Sequence, residues 1–583
     1  MARRNRNGSS AGPRTWSRDW IILVLFAVFL AVLAGRLFYI QVVKASDFSQ
    51  QAATAHTRDV VIEARRGTIY DRNGEVLASN VDATTVYVDP QEVDQPEGLA
   101  SVLADVLGKE YDKTYEDYYK LVTKDNSFTY IQRKCDKDLA DTLKERLKQA
   151  DIDGIHYLED TKRVYPYGDT GSQVIGNVDV DGNGIAGLEL EYDDLVGGQD
   201  GQMSVESGRK GIPIADGVIS KTDAVNGEDI VTSLDIKLQQ RVEKSLLQAI
   251  EDHEAQGGNA LVMDAATGEI YASCSYAKTE VEDEDGKKKE EYQLEVGKLA
   301  SVTDSYEPGS TFKAITVESI LANSSVDESS TFTVPDKLKV YDATIKDSHE
   351  HETEKMTLEQ IIADSSNVGT VLASRKVDAD KLYETYASFG FGTDPGTDFP
   401  GTASGQLQEA SEWDPVRAAN IVFGQGVTVT NAQMARAFGA LEQGGVAHVP
   451  HFLTSIPKDQ DKSDELIGPL TQSQTIADKE TCERVTKLLR SVVTDGTGTD
   501  AAIKGYTVVG KTGTAQIAEN GTYGHGNIVS FAGWLEGSSS NLICVVSVNK
   551  PGTGADGGTV CGPVFADIMS FAIERYQINP NAS

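Results

Sequence analysis

Hydrophobic positions along this chain change period repeatedly, and each change predicts an element. Residues 20–35 are apolar throughout, and Leu37-Phe38-Tyr39-Ile40 carries the run past Arg36. As a helix, residues 20–40 would span about 31 Å, enough to cross a bilayer core. A polar segment, residues 44–58, follows. Apolar-alternating runs on either side of Asn73-Gly74 predict a hairpin with a tight turn. Leu99, Val102, Leu103, Val106 and Leu107 recur at helical spacing among Lys, Asp and Glu, predicting an inserted helical subdomain over residues 90–160. Across residues 221–235 the character changes, and Leu238, Val242, Leu246 and Leu247 open a long helix. The apolar runs over residues 260–263 and 270–273, about a turn at 264–268, predict a second hairpin. With residues 542–548 and the strand Tyr506-Thr507-Val508-Val509-Gly510 it would build an antiparallel sheet. Val564, Phe565, Ile568, Met569, Ala572 and Ile573 predict a closing amphipathic helix with Pro563 at its start. The expected class is α+β, with helices on both faces of the sheet and an active site between the sheet edge and a helical lobe.

Charge refines the front end. Arg3, Arg4, Arg6, Arg14 and Arg18 precede the apolar run and Asp19 is the sole acid there. That asymmetry keeps residues 1–19 cytoplasmic and sends everything after residue 40 outside, with Arg36 snorkelling to the headgroups. A cleaved signal peptide is the rival, because Val32-Leu33-Ala34 suits a peptidase, but the apolar run continues past that point. A net charge of -35 over 583 residues argues against nucleic acid and leaves room for several domains. The five cysteines, Cys135, Cys274, Cys482, Cys544 and Cys561, lack metal-type spacing and are expected mostly as small buried residues; an oxidising compartment permits a pair among Cys274, Cys544 and Cys561. Residues 280–291, with Lys287-Lys288-Lys289, read as a solvated loop. His349-Glu350-His351-Glu352 has a spacing that fits no helical metal motif.

Candidate chemistry begins at Glu307-Pro308-Gly309-Ser310-Thr311-Phe312-Lys313. On a helix, Ser310 and Lys313 share a face, so the amine can sit over the hydroxyl and act as its base. Lys313 can do so only if neutral part of the time, which burial and a second cation, Lys511, would favour. Ser365-Ser366-Asn367 offers a further hydroxyl and an amide, or simply a helix cap. Lys511-Thr512-Gly513-Thr514 ends a strand, where a cation and two hydroxyls suit a carboxylate and Gly513 lets an extended peptide lie alongside.

S-x-x-K, S-x-N and K-T-G in this order resemble the signature of penicillin-binding proteins and class A β-lactamases. The resemblance extends to Thr267-Gly268-Glu269-Ile270, residues 303–309, Gly424-Gln425-Gly426, residues 510–516 and Ser530-Phe531-Ala532-Gly533. Residues 66–74, Tyr165-Pro166 and residues 184–189 resemble the non-catalytic N-terminal region of class B penicillin-binding proteins, where the arginines are expected to salt-bridge a β-scaffold. Residues 35–41 are similar to that family's uncleaved anchor, and with residues 66–74 look closer to division and sporulation enzymes.

The resemblance implies a cytoplasmic tail (residues 1–19), a transmembrane helix (20–40), an elongated β-rich pedestal of dimerisation type (41–225) and a serine transpeptidase/β-lactamase-like domain (226–583). It implies a D,D-transpeptidase that cross-links peptidoglycan stem peptides in septal wall synthesis, is trapped by β-lactams and needs no cofactor or metal. Ser310 would be the nucleophile, Lys313 its base, Ser365 a proton relay and Asn367 the holder of the substrate amide. Lys511, Thr512 and Thr514 would take the terminal carboxylate, and the N–H groups of Ser310 and Thr514 would form an oxyanion hole. Residues 41–220 carry only the class B signatures, so a SEDS-family glycosyltransferase and divisome membrane proteins are the implied partners. Two readings compete: a D,D-carboxypeptidase or β-lactamase, which needs a base for water such as Glu409 or Glu412, and a non-catalytic scaffold or β-lactam sensor.

Overall fold

The computed structural model describes residues 18–44, 57–207, 213–282, 287–519 and 522–581. Most of the expected cytoplasmic tail and of the polar segment 44–58 therefore lies outside the described residues. The chain divides into two compact units, one from residues up to 63 with 200–225, the other from 64–199 with 226 onward.

In the first unit, helix α1 (Arg18–Phe38) continues into a π-turn over Tyr39–Val43. The apolar stretch Trp20–Val43 is 24 residues, long and apolar enough to cross a membrane, and none of it is buried by the described residues. Strands Thr57–Ile62, Gly201–Ser207 and Pro213–Thr222 form an antiparallel sheet with Gly201–Ser207 in the middle. Val60, Val61 and Ile62 thus pair with residues 201–203 and take no part in the hairpin expected around Asn73-Gly74.

That hairpin joins Ile69–Tyr70 to strand β1 (Val76–Val88). Its turn is set by Asp71, whose Oδ1 accepts the N–H groups of Asn73 at 2.7 Å and Glu75 at 2.9 Å. The helical insert proves to be mixed. Helices α2 (Pro96–Leu107), α3 (Tyr115–Val122) and α4 (Lys137–Ala150) cover a sheet of β1, β2 (Thr129–Asp136) and β3 (Ile155–Val164). Exposed apolar residues, Tyr130 and Leu158, and a register shift between β1 and β2 mask the period-2 pattern there. Arg66 at the base of this module is buried: its Nε meets Glu189 Oε2 at 2.6 Å and its Nη1 meets Asp193 Oδ1 at 2.5 Å. Arg163 Nε takes the other Glu189 oxygen at 2.7 Å. The arginines brace a scaffold, as expected.

The large sheet is six-stranded and antiparallel. Its strands are β4 (Gly257–Asp264), β5 (Ile270–Glu282), β6 (Lys288–Leu294), β7 (Val508–Glu519), β8 (Thr522–Leu535) and β9 (Leu542–Asn549), in the order β6-β5-β4-β9-β8-β7. Alternation sorts side chains to its two faces. Ala260, Val262, Cys544 and Val546 join one core with helices α5 (Ile236–Asp252) and α10 (Gly557–Tyr576). Leu261, Met263, Ile543 and Val545 join another with α6 (Lys313–Asn323), α8 (Asn431–Glu442) and α9 (Lys479–Thr494); α7 (Asn367–Ser374) lies in the same lobe.

Two expectations fail locally. Helix α10 starts at Gly557, capped by Asp556, and Pro563 lies inside it. The charged run 280–291 is largely strand, since Glu282 pairs with Lys288 and Val281 with Lys289. Ion pairs Lys288–Glu280 and Lys278–Glu290 offset the like charges facing across it; residues 283–286 lie outside the described residues. All five cysteines are free and buried.

Candidate active site

The turn that carries Ser310, the candidate nucleophile, is built from Pro308 and the 3-10 helix Gly309–Phe312, which leads directly into α6. Gly309 has φ +55°, and a Cβ there would lie 3.0 Å from both Ala515 Cβ and Thr514 O. Only glycine combines that backbone with that approach. The turn is thereby held against the K-T-G strand, leaving Ser310 half-buried at the junction. Gly513 is required from the other side. Its Cβ would meet Ser530 Oγ, Pro308 O at 2.9 Å and Thr311 Cγ2 at 3.1 Å, so its missing side chain makes room for the Ser310 turn.

Lys313, the first residue of α6, is fully buried. Its Nζ lies 2.5 Å from Ser365 O, 2.8 Å from Asn367 Oδ1 and 3.3 Å from Ser365 Oγ. The expected contact with Ser310 Oγ is not among its hydrogen bonds. A carbonyl and an amide oxygen are stronger acceptors than a hydroxyl, and they draw the amine toward the S-x-N segment. Burial first, then the positive charge of Lys511, hold Lys313 well below the ordinary lysine range, against a smaller opposing pull from Asp347. The amine donates in all three contacts, and on losing its proton it keeps enough N–H groups for the two carbonyl oxygens.

Ser365 sits at φ +60° immediately before α7. Ser366 caps that helix, accepting the N–H of Gly369 at 2.8 Å, so the cap reading holds for Ser366. Asn367 does something else. Its Nδ2 donates to Lys346 O at 3.1 Å, which fixes Oδ1 toward Lys313.

The organiser here is Asp347, which sequence reasoning passed over. Its Oδ1 accepts Asn367 N at 2.6 Å and Val368 N at 3.0 Å, and its Oδ2 accepts Ser366 Oγ at 2.7 Å. A negative charge on the N-terminus of α7 also suits the helix dipole. A lone aspartate in a polar loop carries no periodic signal that would have found it.

On β7, Lys511 is fully buried, with Nζ near Thr512 O and Oγ1 at 3.2 and 3.3 Å, and burial pushes it down to about 7. Thr512 Oγ1 is shared with Thr497 Oγ1 at 2.6 Å, a second residue the sequence did not flag. Thr514 is exposed on the same side of the strand, two residues on. Glu409 is bound to Tyr383 Oη at 2.8 Å, and neither it nor Glu412 hydrogen-bonds to Ser310, Lys313, Ser365 or Lys511. In the segment His349-Glu350-His351-Glu352, the His351 ring faces Asp347 and the Glu352 carbonyl.

This constellation has known counterparts. Residues 258–570 match the penicillin binding protein transpeptidase domain, and residues 61–232 match the penicillin-binding protein dimerisation domain. Stage V sporulation protein D of Bacillus subtilis is 32% identical over 96% of this chain and 86% of its own length. Peptidoglycan D,D-transpeptidase FtsI of Escherichia coli is 30% identical over 95% of this chain and 91% of its own. Penicillin binding protein 3 of Mycobacterium tuberculosis, solved in complex with aztreonam, shares the fold at 23% identity and a TM-score of 0.66, covering 90% of this chain and 98% of that one. By two domain matches in order and by near full-length relatives, the chain belongs to the class B penicillin-binding proteins.

Proposed function

We propose that this chain is a serine D,D-transpeptidase that cross-links peptidoglycan stem peptides in septal or spore wall synthesis. The observation that carries the reading is a buried lysine, Lys313, lowered by burial and Lys511 and held between Ser365 and Asn367 one turn from Ser310. Ser310 Oγ attacks the carbonyl of the penultimate D-alanine as its proton passes to Lys313. The N–H groups of Ser310 and Thr514 stabilise the oxyanion. The C–N bond then breaks, and the departing D-alanine amine takes its proton through Ser365. The amine of a neighbouring stem attacks the ester, surrenders a proton by the same route and frees Ser310. Asn367 holds the substrate amide. Lys511, Thr512 and Thr514 hold the terminal carboxylate, whose charge favours protonated Lys511. Gly513 keeps the strand close enough to the nucleophile's turn for this to happen. A β-lactam opens on Ser310 and stays there as a slow ester.

In this reading residues 20–40 anchor the chain with residues 1–19 cytoplasmic, residues 41–225 form the pedestal and residues 226–583 the catalytic domain outside. A SEDS-family glycosyltransferase and divisome membrane proteins are the proposed partners. The test is covalent labelling of the detergent-solubilised chain by fluorescent penicillin. Parent protein should retain a long-lived label that Ser310→Ala loses. Folded parent that takes no label overturns the reading, and rapid release of the label as penicilloate would favour a hydrolase.

A further inference from the structure

We propose that His351 is a positioning residue for this reaction, acting through Asp347 on Ser365 and Asn367; the inference rests on the acyl-transfer reading above. Its Nε2 lies 3.2 Å from Asp347 Oδ2, and its Nδ1 lies 2.8 Å from Glu352 O and 3.4 Å from Glu354 Oε1. Each of these oxygens accepts only, so both ring nitrogens must donate, and the site is shaped for imidazolium. The Glu352 carbonyl raises the ring's pKa above its ordinary 6.5 against the opposing effect of burial, and Asp347 and Glu354 add to the rise. The other groups facing it are Asp336, which accepts the His351 backbone N–H, and the His349 ring with its centroid 6.2 Å away. Lys313 lies beyond Asp347 and interacts with its charge.

Asp347, with a side chain 4% exposed, thus receives Ser366 Oγ, Asn367 N, Val368 N and His351 Nε2. Three of those four bonds fix the residues directly after Ser365. A left-handed serine is strained and persists only where its surroundings over-determine it. The Asp347 clamp supplies that restraint, and through it Ser365 and Asn367 keep their oxygens on the Lys313 amine. His351 is the clamp's outermost member and touches no reacting atom. As pH rises through its raised pKa the ring loses a proton, one nitrogen is left facing an acceptor as an acceptor, and the hold on Asp347 loosens.

The test compares acylation rates of the full solubilised chain by fluorescent penicillin from about pH 6 to about pH 9, with melting temperatures taken alongside. His351→Ala should acylate roughly 10- to 100-fold more slowly, the scale expected when a catalytic group shifts by a fraction of an ångström to an ångström. His351→Gln, whose amide donates to Asp347 without titrating, should recover most of the rate. Its rate relative to parent should climb with pH, a ratio that cancels titrations shared with Lys313 and Lys511. Parental rates in a folded His351→Ala variant, or a His351→Gln-to-parent ratio flat with pH, overturns the proposal. If His351→Ala does not fold, the ratio still decides. Absence of label in the parent would instead remove the acyl-transfer reading itself.

Discussion

In the pedestal, Arg66 and Arg163 are buried against Glu189 and Asp193, each guanidinium matched by carboxylate oxygens at 2.5–2.7 Å. In the catalytic cleft, Lys313 and Lys511 are buried at least as deeply, but their hydrogen bonds go to carbonyl, amide and hydroxyl oxygens. The consequences diverge. Burial alone would lower Arg66, yet Glu189 and Asp193 outweigh it and the group is raised. Burial is unopposed at Lys511, and at Lys313 it is reinforced by Lys511, so both lysines fall. A buried cation with a matched anion is a brace. One without is pushed toward its neutral form, the form from which the proposed reaction starts.

The sharpest way to test this contrast is Lys313→Met. Acylation should fall about 10³-fold or more, as for loss of a general base, while the melting temperature holds or rises because a desolvated amine gives way to an apolar chain of similar length. A large drop in melting temperature would mean that Lys313 is a brace too. Next comes Glu189→Gln, which leaves two buried guanidiniums undercompensated and should cost about 3–5 kcal/mol in chemical denaturation. The fraction that remains folded should acylate at the parental rate. The smallest effect belongs to Arg65→Ala. Its pair with Asp82 is short, 2.6 Å, but the two side chains are 59% and 60% exposed. Solvent screening should keep the change in unfolding free energy within about 0.5 kcal/mol.

Much of the catalytic half was legible beforehand because its chemistry is local in sequence. Ser310 with Lys313, Ser365 with Asn367, and Lys511 with Thr512 are each packed into a few residues, and the continuous apolar runs of β4 and β9 declare strands covered on both faces. What escaped depends on partners distant along the chain. Asp347 matters through atoms 19 to 21 residues away, and Thr497 through Thr512, 15 residues on. Gly513 was read as space for substrate, whereas its neighbours are Pro308 and Thr311, about two hundred residues earlier, a packing that no window along β7 reveals. The strands of the insert are hidden because Tyr130 and Leu158 are apolar yet exposed and the pairing of β1 with β2 shifts register, which breaks the period-2 pattern. The helix start expected at Pro563 shows the reverse error: a strong local rule, proline in the first turn, is outweighed by the Asp556 cap eight residues upstream of Val564, the apolar run's first member.

The cysteines carry one last consequence. Cys135 lies in the pedestal core, Cys482 in the helical lobe, and Cys274, Cys544 and Cys561 beneath the sheet. Burial raises all five thiols, Cys482 to about 12. A thiolate-selective reagent is therefore blind to the native molecule and sensitive only to its openings. Each core carries its own alarm, so the order in which the sulfurs become modified would record which part of the protein breathes first.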